Sequence, residues 1–261
     1  CLIDPKFMYK VLFDISAETI KELSKDKTYL GAKIGFTSVL HTWGQNLSLH
    51  PHIHMIVPGG GIDSNGKWKN SKKKFFLPVK VVSKLFKGKF LSYTKKNFDQ
   101  RKIKDEEQFQ NIINTCYSKD WVVYTKKPMK STKHVVKYLG RYTHRIAISN
   151  ARIKKYEDNK VTFSYKDYSD HNKIKEMTLE DTEFFRRYMM HVLPSNFMKI
   201  RHYGFLGNRN KEERIKAIRT ATNTKDPGPL LIDYEQIISD ILKRDVSICI
   251  KCGQKRHYQL E

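Results

Sequence analysis

The sequence predicts an α+β fold, a central antiparallel sheet with flanking helices. Short β-prone runs with period-two alternation occur at residues 33–40, 52–57 and 161–165. Asn65-Gly66, set between Ile62 and Trp68, is a hairpin signal. Longer stretches, at 79–97 and around Tyr138, carry apolar residues at helical spacing. A 39% hydrophobic content, with 12% aromatic, is enough to give 261 residues a real core.

Each element follows in order. Residues 33–40 are apolar enough for a strand, and 52–57 alternate in the same way before Pro58-Gly59-Gly60-Gly61 turns the chain, so the two are expected as neighbours. Over residues 79–97, Val82, Leu85, Phe86 and Phe90 form an apolar stripe. Lys84, Lys87, Lys89, Lys95 and Lys96 make a basic face, either solvated or set against phosphate. Trp121-Val122-Val123-Tyr124 reads as a further strand, after which Ser131 or Thr132 caps a helix through Tyr138 and Tyr142. Beyond the strand at 161–165, Thr178 with Asp181 resembles a capping box opening a helix that stops before Pro194. After Asn208 the chain turns polar and helical, and residues 224–229 read as a linker. The expected division is a large domain over residues 1–210 and a basic helical tail over residues 211–261.

Charge narrows the function. Lys+Arg 50 against Asp+Glu 27 leaves a formal net charge of +23, which favours a polyanionic partner, nucleic acid first. No apolar run approaches the roughly 20 residues of a spanning helix and no secretory signal is visible, so no membrane partner is expected. Four cysteines, Cys1, Cys116, Cys249 and Cys252, are spread too unevenly for a disulfide framework and suit a reducing cytoplasm. A chain that begins at Cys1 rather than methionine is expected to be a piece of a longer protein.

Chemistry enters at His50-Pro51-His52-Ile53-His54. On a strand His52 and His54 share a face, with Cα atoms roughly 6.6–7 Å apart, close enough for one ion. A lone H-x-H also arises from two exposed histidines on a strand edge; here Ile53 and Met55 alternate with the pair and fix an apolar face opposite. His41, His50 or a residue of the tyrosine helix could complete the set. His41 is preferred, because it ends the preceding strand and an antiparallel neighbour would set it beside the pair, although a core or capping histidine would look the same. His50 precedes Pro51, which bends the strand entry.

Tyr138 and Tyr142 lie on one helical face about one turn, or 6 Å of rise, apart. Such a pair is more often packing than catalysis. Lys137, Arg141, His144 and Arg145 surround it, a cationic setting that suits phosphate and favours phenolate. A phenolic oxygen attacking a phosphodiester would conserve the bond energy for resealing.

Together these residues resemble the two-tyrosine HUH transposases of rolling-circle insertion sequences. The matching stretches are His41-Thr42-Trp43-Gly44-Gln45, HPHIHMIVPGGG from His50, YLGRYTHRIAISN from Tyr138 and HVLPSNFMKIRHYGFL from His191, within residues 28–210. The resemblance implies a ferredoxin-like sheet in a catalytic domain. It implies that His52 and His54 hold a divalent ion, magnesium or manganese, that polarises the scissile phosphate. It further implies that Tyr138 and Tyr142 attack single-stranded DNA at transposon ends and target, leaving a 5′-phosphotyrosine and a free 3′-hydroxyl. The spacing of His41 to the pair resembles the three-histidine arrangement of conjugative relaxases. A replication initiator or relaxase with the same chemistry, or a noncatalytic basic DNA-binding protein, are the alternative expectations. The cysteine-rich zinc module that usually precedes this domain has no counterpart in these residues.

Other features weigh less. Gly59-Gly60-Gly61 is followed by no Gly-Lys-Ser/Thr, so no nucleotide cofactor is expected. Arg186, Arg187, Lys199, Arg201, His202 and Tyr203 form a basic and aromatic cluster that could grip a single strand, with packing beneath the sheet the commoner role for one tyrosine. Cys249 and Cys252 are half a zinc site, with His257 a conceivable third ligand. Without further ligands, this end is expected to be a frayed basic tail.

Overall fold

The structure is a computed structural model describing residues 3–71, 76–99, 105–126, 128, 129, 131–143, 147–226, 228, 234–250 and 252–255. Among them the chain runs α1 (Pro5–Lys25), β1 (Phe36–Trp43), β2 (Leu49–Ile56), β3 (Gly60–Ile62), β4 (Trp68–Asn70), α2 (Val79–Asn97), α3 (Glu106–Ser118) and α4 (Thr132–Thr143). It continues with β5 (Ile153–Glu157), β6 (Lys160–Asp167), β7 (Lys173–Glu180), α5 (Asp181–Met189), β8 (Ile200–Tyr203), α6 (Lys211–Ala221) and α7 (Tyr234–Leu242). This is the mixed α+β architecture that the sequence predicts.

The central sheet is antiparallel in the order β2-β1-β8, with β1 in the middle. Side chains alternate across it. Phe36 and Leu40 pack with Ala17, Phe13 and Tyr9 of α1, leaving Thr37, Val39, His41 and Trp43 for the opposite face. β1 runs past the apolar stretch at 33–40 because pairing continues through His41↔His52 to Trp43↔Leu49, with a bulge between His41 and Trp43.

α1, which the sequence reading left undrawn, organises the core. Asp4 caps it by accepting from Phe7 N–H at 3.0 Å, and Pro5 fits the first turn, where no N–H is needed. Tyr9 and Phe13, one turn apart, face the sheet, while Val11 and Ile15 meet Phe90, Leu91, Phe109 and Ile113 of α2 and α3. Phe13 has no exposed surface. Phe13→Ala is expected to cost about 3–5 kcal/mol, read as a lower urea midpoint with an unchanged slope.

α2 matches its predicted span. Lys87 donates to Tyr117 O and Lys119 O, and Lys89 pairs with Glu18 and Glu22 of α1. These two lysines tie the helix layer together.

Two expectations of local structure change. Trp121–Tyr124 forms no strand: Trp121 packs on Phe86 and Phe90, and Val123 joins the cluster of Leu23, Leu77 and Val82, whereas Val122 and Tyr124 are 94% and 79% exposed. The alternation is present, but no neighbouring strand supplies a ladder. Thr178 lies inside β7, bonded across the sheet to Thr162 at 2.8 Å, and α5 starts after Glu180 with no side-chain cap. It ends at Met189, ahead of Pro194. The hairpin at Asn65-Gly66 does form, pairing Ile62 with Trp68.

β5-β6-β7 make a second antiparallel sheet whose inner face, with α5, encloses Val161, Phe163 and Phe184. Contacts divide the chain into Cys1–Thr222 and Asn223–Glu261. α6 lies in the first unit, where Arg214 donates to Gly204 O at 3.1 Å. In the second, the expected fraying is not seen in the described residues 248–250 and 252–255. Ile248 bridges Lys255, Cys249 N–H donates to Gln254 O, and Gly253 supplies the positive φ of +70° that closes the turn around Cys249 and Cys252. His257 lies outside the described residues.

Candidate metal and tyrosine site

The sheet face turned away from α1 gathers the histidines. His41 and His52 are directly opposed in the β1–β2 register, and His54 sits two residues further along β2, opposite Val39. One ring nitrogen from each of His41, His52 and His54 lies within 4.8 Å of the others. His41 is 5% exposed, its ring stacked on Trp43 at 4.4 Å and edge-on to His54 at 4.5 Å. The donor set therefore fits a transition ion. His50 stays exposed and flanks the site, contributing a backbone carbonyl that accepts from His52 Nδ1–H at 2.6 Å.

Hydrogen bookkeeping gives these nitrogens roles. A carbonyl only accepts, so His52 carries its hydrogen on Nδ1 and presents the Nε2 lone pair inward. That Nε2 is 3.0 Å from His54 Nε2, and His54 Nδ1 is 3.1 Å from Tyr138 Oη. Without an ion, the Tyr138 hydroxyl can donate to His54 Nδ1 while His54 Nε2–H donates to His52. Were both Nε2 atoms to hold an ion, His54 would keep its hydrogen on Nδ1, and Tyr138 Oη would become the acceptor. Such outer bonds fix the ligating tautomer.

Burial, then the neighbouring His41, His52 and Lys126, depress the His54 pKa to about 3. Burial also lowers that of His52, with the His50 carbonyl opposing it. In the unfolded chain these imidazoles take protons near pH 6.5. The folded state resists both protons, so below about 6.5, and for His54 down to about 3, the unfolded state binds more protons and stability falls as pH falls. Urea midpoints measured in chelator from pH 7 to 4 should drop, and His54→Gln should flatten the slope.

Tyr138 comes from α4, whose first turn is closed by Ser131: its Oγ is 3.0 Å from His134 Nδ1 and accepts from His134 N–H at 3.4 Å. Tyr142 follows one turn later on the same helix. The side chains of Tyr142, Lys137 and Arg141, and all of His144 and Arg145, lie outside the described residues.

The cluster at 200–203 divides between the two faces. His202 shares the histidine face, bonded to Thr37 Oγ1 at 2.9 Å. Arg201 and Tyr203 point to α1: the guanidinium lies 4.3 Å over Phe13 and 3.6 Å from Asp14, and Tyr203 stacks on Phe36 at 5.1 Å.

One functional contributor was not drawn from the sequence. His191, buried in the segment after α5, accepts from Thr42 Oγ1 at 3.2 Å and donates through Nε2 to Leu47 O at 3.1 Å. Arg187 donates to Asn46 O, and Arg152 to Gln45 O. Together they clamp the turn that sets His41 against His52. Its only signal was position within the matched stretch from His191. His191→Ala should cost about 1–3 kcal/mol by leaving Leu47 O and Thr42 unsatisfied, and should weaken metal binding without touching a ligand; thermal melts and a manganese titration test both.

Residues 35–214 match the family Y2_Tnp, described as "Putative transposase". The chain is 40% identical over 268 residues to "Putative transposase y4qJ" of Sinorhizobium fredii, covering 97% of this chain and 67% of that protein. It is 28% identical over 259 residues to "Transposase for insertion sequence element IS801" of Pseudomonas savastanoi pv. phaseolicola, covering 97% and 62% respectively. No solved structure matches the chain. It thus spans roughly two thirds of each of these relatives' lengths. With a family match over residues 35–214 and close identity across nearly its whole length, this chain belongs to the two-tyrosine transposase family of IS801-type, rolling-circle elements.

Proposed function

We propose that this chain nicks and rejoins single-stranded DNA during rolling-circle transposition, through a 5′-phosphotyrosine intermediate. The observation that carries the reading is the 3.1 Å contact between Tyr138 Oη and His54, itself one of three clustered imidazoles. His41, His52 and His54 would hold a divalent ion. Bound there, magnesium or manganese would supply Lewis-acid polarisation of the scissile phosphate, manganese being the better match to imidazole donors. His54 Nδ1–H stabilises developing charge on Tyr138 Oη. That oxygen attacks phosphorus, the bond from phosphorus to the 3′-oxygen breaks, and the phenolic proton ends on the released 3′-hydroxyl. The phosphodiester is exchanged for a phosphotyrosyl ester, and the reverse step reseals the strand. Tyr142 provides a second acceptor, so two strand ends can be held at once.

The +23 charge holds the polyanion, and no described helix is long and apolar enough to cross a membrane. The substrates in this reading are transposon ends and target DNA in the cytoplasm, with no nucleotide cofactor. Cys249 and Cys252 would give two thiolates to a zinc ion whose other ligands come from elsewhere.

The test is covalent capture. Labelled single-stranded oligonucleotides tiling the DNA around the gene are incubated with manganese or magnesium and resolved under denaturing conditions. A protein-linked label that depends on metal is expected. Undiminished capture by the Tyr138→Phe/Tyr142→Phe double variant sinks the assignment.

A further inference from the structure

We propose that Lys126 is a further phosphate-binding residue of this site, contacting a nonbridging oxygen of the phosphodiester that Tyr138 attacks; the inference rests on the reading above. Its ammonium lies over the Tyr138 ring, 5.4 Å from the centroid, and among the described residues it has no carboxylate partner. Tyr138 Oη in turn touches His54. Lys126 is thus a cation beside the nucleophile and the histidines, where a bound phosphodiester brings negative charge.

The approach of the chain explains how an exposed lysine is held there. Trp121 is wedged against Phe86 and Phe90, its Nε1–H donating to Cys116 O at 3.0 Å, and its carbonyl accepts from Ser83 Oγ. Val123 is packed in the next cluster. Anchored at 121 and 123, the extended segment delivers Lys126 to the site before α4 begins. An exposed cation over a tyrosine ring contributes only about 0.5–1 kcal/mol, so the ring contact alone gives little reason to hold a lysine beside Tyr138. A lysine is a flexible point charge with three donors, suited to follow one phosphate oxygen.

The experiment uses the full-length protein and the tiling oligonucleotides, with the nick mapped in the wild type. Lys126→Ala is expected to slow single-turnover cleavage about 100- to 1,000-fold, as loss of one charge-stabilising donor does, with manganese affinity and melting temperature unchanged. Lys126→Arg should recover most of the rate. On an oligonucleotide carrying a neutral methylphosphonate at the nick, wild type and Lys126→Ala should differ by no more than about twofold, because the partner charge is gone. Equal rates for wild type and Lys126→Ala, or the same loss on both substrates, or a loss explained by weaker manganese binding, would overturn the proposal. No adduct from the wild type with either metal defeats the nuclease reading itself, and this inference falls with it.

Discussion

Tyr138→Phe is expected to lower single-turnover nicking about a thousandfold or more, because removal of an attacking nucleophile leaves only binding and electrostatic terms. The aromatic ring stays, so its packing near His54 and Lys126 survives and the melting temperature should hold. Tyr142→Phe is expected to keep the first nick and to lose transfer of the second strand end, since the contact to His54 belongs to Tyr138. The measurement is denaturing-gel quantification of adduct and of free 3′-hydroxyl product. A Tyr138→Phe protein that nicks at wild-type rate while Tyr142→Phe does not would exchange the two roles.

Manganese affinity should fall about 100-fold when His54 or His52 becomes Ala, a change of about 2.7 kcal/mol, with His41→Ala similar. His50→Ala should leave affinity within about threefold, because the group that His50 gives the site is its carbonyl, which any residue retains. Isothermal titration or manganese EPR separates these variants. If His41→Ala binds manganese as the wild type does, the centre has two protein imidazoles and His41 is a packing residue stacked on Trp43.

Much of the site was legible because strand and helix periods are local. The alternation that puts His52 and His54 on one face needs only β geometry, and the separation of Tyr138 from Tyr142 only helical rise. The position of His41 beside the pair has the same local origin: an antiparallel partner brings a strand's end beside its neighbour's start. The strand expected at Trp121–Tyr124 failed for the complementary reason. Its side chains alternate between packed and exposed, but a strand requires a partner's backbone, and among the described residues this segment meets α2 through side chains and pairs with no strand. α1 was missed although its burial governs the core.

The basic residues are the hardest to read. Arg201, Lys87 and Lys89 carry the same charge as any DNA-contacting residue, yet they are spent on Phe13 and Asp14, on carbonyls of the 117–119 turn, and on Glu18 and Glu22. Lys126 drew no notice in the sequence, being one lysine in a run of Lys126-Lys127.

By itself, then, the sequence determined the residue types and their short-range spacing: a histidine pair on one strand face, two tyrosines one turn apart, a cationic chain and an α+β pattern. Those properties follow from covalent geometry over a few residues. Only the tertiary structure decided which groups meet. The β1–β2 register set His41 opposite His52, α4 brought Tyr138 to His54, His191 locked the turn between the strands, and the sheet sent His202 and Arg201 to opposite faces. Such contacts join residues distant along the chain, and packing and hydrogen-bond satisfaction across the whole core select them.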